Sequence, residues 1–121
     1  MAQMTPEELK ARTKRFALRV FKLADSLPNK VSARVLANQI ARSGPSVAAN
    51  YRAACKARSR AEFISKLGVA EEEADETQLW LELIAESGLV PALKLGPLHQ
   101  EACELTAIIA ASRKSAQGGR T

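Results

Sequence analysis

The chain has 121 residues, 46% of them apolar, and its 18 lysines and arginines against 13 carboxylates leave a net charge of +5. That is one domain's worth of chain, with enough apolar residues for a packed core and too many for a disordered one. Five aromatic residues are too few for a stacking platform for single-stranded nucleic acid, the single histidine (His99) excludes multi-histidine metal and relay sites, and two cysteines (Cys55 and Cys103) exclude a disulfide scaffold or a four-cysteine zinc site.

The first predicted element opens at Thr5-Pro6-Glu7-Glu8, where Thr5 can cap free backbone N–H groups, Pro6 suits the first helical position and Glu8 completes a capping box. Leu9, Thr13, Phe16, Val20, Leu23 and Leu27 then recur at spacings of four and three, one helical stripe that ends before Pro28-Asn29. A second helix begins near Val31-Ser32 with Ser32 as its expected cap. Its inner stripe is Leu36, Gln39/Ile40, Ser43, Val47, Asn50/Tyr51 and Ala54. Gly44-Pro45 interrupts it, predicting a kink or a short break, because proline lacks the ladder donor and crowds the carbonyl four residues back; the apolar spacing keeps phase across it, so the segment counts as one element.

Ser59-Arg60-Ala61-Glu62 is a capping box for a third helix, with the stripe Phe63, Leu67, Ala70, Ala74, Thr77, Leu81 and Ile84, widened by Trp80 and Leu83 and stopped at Gly88. A linker from Leu89 to Gly96 leads to a fourth helix, expected from Pro97 to Ser115 on Leu98, Ala102, Leu105 and Ile109. No convincing strand pattern appears. The expected fold is all-α, an antiparallel up-down-up-down four-helix bundle. It occupies residues 1–116 as one domain, with 117–121 as a flexible tail. Apolar positions outside the stripes (Val35, Ile64, Val69, Leu79, Leu83, Ile108) predict a second buried face and hence a homo-oligomer. With no signal peptide and no apolar run of ~20 residues, no membrane contact is expected; the cytoplasm, with reduced cysteines, is the expected compartment.

Charge is unevenly spread. Residues 1–60 hold thirteen cations and three carboxylates (+10), and residues 61–121 hold five and ten (−5). Arg12, Arg15, Arg19 and Lys22 form a ridge beside the core stripe of the first helix, and Arg34, Arg42, Arg52, Lys56, Arg58 and Arg60 follow. Such arginines suit phosphate oxygens of RNA or DNA; equally, they can pair with the acidic run Glu71, Glu72, Glu73, Asp75 and Glu76, within the bundle or between subunits. That run can hold no di-iron site, since the residue three before His99 is Gly96. Gln39, Ser43 and Asn50 on an inner stripe are expected to specify helix register. Cys55, near Arg52 and Lys56, could favour thiolate, but nothing in the sequence brings a base to it, and no phosphate-cradling glycine loop or nucleophile elbow is present. No enzymatic activity and no cofactor are expected.

The stretch QIARSGPSVAAN (Gln39–Asn50), continuing into YRAACKARSRAEFISKL and EEADETQLWLELIAESGLV, resembles the bacterial four-helix-bundle proteins encoded in intervening sequences of 23S ribosomal RNA genes, whose relatives include accessory proteins of diversity-generating retroelements. The resemblance covers roughly residues 16–90. It implies a pentameric ring of bundles with basic residues facing a central opening, nucleic acid as a partner, and in the retroelement relatives a nucleic-acid-processing protein, the reverse transcriptase. It carries over Arg42, Ser43, Asn50, Arg52, Glu73, Asp75, Glu76 and Trp80 as family-pattern positions, mostly structural. Pro45 and Ala53 depart from the pattern, which has a small or hydroxyl residue and often an acid at these places.

Overall fold

In the computed structural model, which describes residues 4–118, four helices hold nearly all of those residues: α1 (Pro6–Ser26), α2 (Val31–Cys55), α3 (Arg60–Glu86) and α4 (Ala92–Gln117). The start of α1 is a complete capping box. Thr5 Oγ1 accepts from the Glu8 N–H at 3.1 Å, and the Glu8 carboxylate accepts from the Thr5 N–H at 2.8 Å. At α3, Ser59 Oγ accepts from the Glu62 N–H, but the Glu62 carboxylate reaches the Arg58 N–H instead of closing the box. Gly88, at φ 78°, ends α3 in the left-handed conformation. The Leu89 N–H bonds the Ile84 carbonyl and the Gly88 N–H bonds that of Ala85, so two orphan carbonyls are satisfied at the reversal.

Three boundaries differ from the sequence expectation. Lys30, not Ser32, occupies the N-cap of α2, without a side-chain bond. Helix α2 runs through Pro45 as the one element expected, without the short break. Gly44 has no Cβ to collide with the proline ring, and packing on both sides of Pro45 keeps the two halves in one helix. Helix α4 starts at Ala92 rather than Pro97 and continues through Gln117, beyond the expected end at Ser115; of the expected tail, residues 119–121 lie outside the described residues. Pro97 removes only one ladder donor there, and the additional turn buries Leu95, three residues before Leu98, in the core.

The helices, ~31–41 Å long at ~1.5 Å per residue, follow one another through short turns. As α3 advances from Glu71 to Gln78 to Glu82, its partner in α4 retreats from Arg113 to Thr106 to His99, the mark of antiparallel packing. Helix α1 packs on α2, α2 on α3 and α3 on α4; the circuit closes through a much sparser α1–α4 seam. The expected stripes form the core. Leu9, Phe16, Val20, Ile40, Val47, Leu67, Leu81, Ile84, Leu105 and Ile109 are buried. Among the described residues no helix is long and apolar enough to cross a membrane.

One contact sets the α1–α2 distance. A Cβ on Gly44 would lie 2.7–2.9 Å from Cγ1, Cβ and Cγ2 of fully buried Val20. The stiff, β-branched valine cannot swing aside. Gly44→Ala is therefore expected to lower unfolding stability by about 1–3 kcal/mol despite alanine's better helix propensity. At Gly68 a Cβ would meet only Arg113 Cδ at 3.8 Å, so Gly68→Ala is expected to raise stability by about 0.5–1 kcal/mol. Denaturant titration of the two variants checks the pair of opposite signs.

Candidate nucleic-acid interface

The arginines singled out in the sequence divide into two groups. Arg12 crosses the α1–α4 seam as a fork. Its Nε and Nη2 donate to the two oxygens of Glu101, both at 2.7 Å, and Nη2 also donates to Glu104 at 2.6 Å. The Arg12 and Glu101 side chains are largely buried, and the hydrogen bonds that Arg12 donates to Glu101, outweighing the cost of burial, fix the guanidinium more firmly in its charged form. Bonds from Gln100 and Arg12 in turn hold the Glu104 carboxyl below its ordinary range. Arg42 on α2 donates from Nη1 to both oxygens of Glu73, at 3.1 and 3.2 Å, and from Nη2 to Glu76. The acidic run thus meets α2, as expected, but its Glu71 pairs with Arg113 of α4 at 2.6 Å, and the acids that neutralise Arg12 come from α4. Glu72 and Asp75 are exposed. Arg60 is spent on the end of α4, donating to the Ala116 and Gln117 carbonyls at 2.7 and 3.2 Å.

Arg15, Arg19, Lys22 and Arg52 form the second group. All are exposed, and none has a carboxylate partner among the described residues. Arg52 faces α1 at the end of α2, where it lines an open cleft of about 400 Å³ with Lys10, Lys14 and Lys56. Four cations meet one carboxylate there, Glu7, which is already bonded to Lys10 at 3.0 Å. Lys56 was among the basic residues named with Arg52, but Lys10 and Lys14 were not. The signal was present in their spacing, since Lys10 and Lys14 are one turn apart on the flank of α1 opposite to Arg12, but without a register between α1 and α2 nothing tied them to Arg52.

The polar residues of the inner stripe do different work. Ser43 is buried, its hydroxyl 2.8 Å from that of Thr77 on α3, and Thr77 donates to the Glu73 carbonyl at 2.7 Å. The Thr77 oxygen is therefore the acceptor and Ser43 the donor. This buried hydroxyl pair, which penalises any slip of α2 against α3, takes the registering role expected of buried amides. Asn50 is half-buried and turns back on its own helix, donating to the Ser46 carbonyl and hydroxyl; Gln39 is only half-buried. Trp80 is half-buried against the core, and its Nε1 is buried with no acceptor among the described residues.

His99 does find a cysteine, but Cys103 rather than Cys55. Its Nε2 lies 2.9 Å from Glu82 Oε2, its Nδ1 3.7 Å from Cys103 Sγ, and the thiol donates to Gln78 Oε1 at 3.4 Å. The spacing of four between His99 and Cys103 was visible in the sequence. Burial, and then the carboxylates of Glu82, Asp75 and Glu104, push the Cys103 thiol up, away from the thiolate a nucleophile needs.

The family model described as 23S rRNA-intervening sequence protein matches residues 8–111. Among solved structures, the chain is similar to a protein of unknown function from the S23 ribosomal protein family of Bacteroides thetaiotaomicron. The two share 34% identity and superpose with a TM-score of 0.85, over 92% of this chain and 99% of that one. No curated protein matches the chain significantly.

Proposed function

The chain belongs to the 23S rRNA-intervening sequence protein family, and from that membership together with the unpaired cations of α1 and α2 we propose that it is a non-catalytic nucleic-acid-binding protein that grips phosphate oxygens. The observation that carries this reading is the α1–α2 cleft, where Lys14, Arg52 and Lys56 converge with no carboxylate left to neutralise them. Arg15, exposed on the Arg12 ridge of α1, lies outside this cleft. Arg12, expected at the interface, serves instead to hold the bundle together, because releasing it would strand largely buried Glu101, and Arg42, though exposed, is engaged by Glu73 and Glu76. The ribosomal names of the family and of the solved neighbour favour RNA.

Contacts of this kind are electrostatic and sequence-independent. Affinity for a generic duplex is expected to fall with salt at a log–log slope of about −3, for three or four phosphate contacts at about −0.9 each. Lys14→Glu combined with Arg52→Glu is expected to weaken binding at least ~10-fold and to flatten the slope by about 2. Fluorescence anisotropy across a salt series checks both. Binding that ignores salt, or that survives the double reversal unchanged, would refute the reading.

A second reading, assembly, rests on a different observation. Val31 and Val35 on α2 and Leu79 and Leu83 on α3 are exposed, Val31 at 72%. The Ser43–Thr77 register sets Val35 at the level of Leu83, which makes these side chains parts of one apolar face. On this reading copies of the chain associate through the α2–α3 face, in the pentameric ring implied by the family resemblance, and present their α1–α2 clefts together. Sedimentation is expected to give an oligomer for the natural chain and the 13.1 kDa monomer for Val35→Glu with Leu83→Glu. A natural chain that stays monomeric at every concentration would end this reading without touching the first.

A further inference from the structure

Arg19 and Lys22 do not line the α1–α2 cleft. They turn to the other flank of α1, where the sparse α1–α4 seam opens, beyond the Arg12 ion pairs, into a groove of about 680 Å³. The floor of this groove is the core itself. Leu95 and Leu98 of α4 belong to the buried cluster, and Leu23, Leu89 and Val90 pack half-buried against it. The rim carries Arg19, Lys22 and Lys94 and no carboxylate at all. Beside it Leu93 stands 93% exposed on the first turn of α4. The next turn holds two poor helix formers, Gly96 and Pro97: nothing lies within 4 Å of where a Cβ on Gly96 would be, and Pro97 withholds its N–H. No side chain caps the helix start, and burial of Leu95 and Leu98 carries the helix through this point, so this wall can adjust to an occupant.

The lining chooses among ligand classes. A phosphate chain would use the three cations and leave the leucine floor wet. A small molecule needs polar groups that fix its orientation, and the open groove has none that are buried. An amphipathic helix uses both parts, an apolar ridge in the groove and charged flanks on the rim. The charge of the rim makes those flanks acidic. A second copy of this chain fits poorly. Its exposed Val31, Val35, Val69, Leu79 and Leu83 lie on α2 and α3, a face two helices wide, whereas the groove takes one ridge; and the single-helix ridge of exposed Leu18 and Phe21 on α1 is flanked by Lys14 and Lys22, cations that would meet the cationic rim.

We infer that the α1–α4 groove is a docking site for an acidic amphipathic helix of another protein. Its apolar side chains would rest on Leu23, Leu95 and Leu98, and its carboxylates would meet Arg19 and Lys22 on one side and Lys94 on the other. This goes beyond the nucleic-acid reading and uses none of the cleft residues. The probe is a labelled peptide of roughly 18 residues, five helical turns, with leucines three and four apart and glutamates between them, titrated into the full chain. Saturable binding is expected, weakened at least ~10-fold by Lys22→Glu with Lys94→Glu, unchanged by Lys14→Glu with Arg52→Glu, and lost when the same leucines and glutamates are scrambled. Both lysines are exposed, and melting curves confirm that the variant is folded. Equal binding of the scrambled peptide, no saturation at up to about millimolar peptide, or insensitivity to the lysine reversals would each overturn the assignment. So would displacement of the peptide by dodecanoate or anionic vesicles, which would give the groove to lipid, or loss of self-association in the lysine variant, which would give it to a second copy.

Discussion

Ion pairing between the basic and acidic halves of the chain is the interaction on which the account depends. Antiparallel packing lays α2 against α3 and α1 against α4, so cations of the first half meet carboxylates of the second across two seams. The match is incomplete. Glu73 and Glu76 take Arg42, and Glu101 and Glu104 take Arg12. Of the other acids of the second half, Glu71 is held by Arg113, Glu82 is hydrogen-bonded to His99, and Glu72 and Asp75 are exposed. Positive charge is thus left over in two places, around Arg52 and around Arg19, and both proposed surfaces are built from that remainder.

The bundle gives the two surfaces different characters. Gly44 lets α1 and α2 approach until Val20 fills the space a Cβ would need. That seam is closed, and its outer edge offers charge over a shallow cleft. The α1–α4 seam has no such glycine, and its sparse contact lets the core reach the surface between Leu23 and Leu98. Charge over a closed seam suits phosphate; charge over an open one suits a side chain with something apolar to bury.

Much of the fold was legible in the sequence because the relevant signals are local. Stripes at spacings of three and four gave every core helix, and Thr5, Ser59 and Gly88 act at helix ends as their chemistry requires. The misread boundaries were those where tertiary packing overrides local preference. Burial of Leu95 carries α4 through Gly96-Pro97. The candidate site was legible only in outline. A basic ridge can be read from one helix, but whether Arg12 or Arg15 is free depends on the residues of α4 that face it, and helical periodicity says nothing about which helices are neighbours or in what register. For the same reason the sequence named Glu71 to Glu76 as the acids to meet the basic helices and overlooked Glu101 and Glu104.

The partition of charge can be read out arginine by arginine. A guanidinium locked in a fork with carboxylates reacts slowly with a dicarbonyl reagent, and a solvated one reacts quickly. Limited treatment of the folded chain with hydroxyphenylglyoxal, followed by peptide mass spectrometry, should modify Arg15, Arg19 and Arg52 well ahead of Arg12 and Arg42. Modification of Arg12 and Arg42 at the same rate as the others would mean that the seams do not hold them, and the division between structural and available cations would fail.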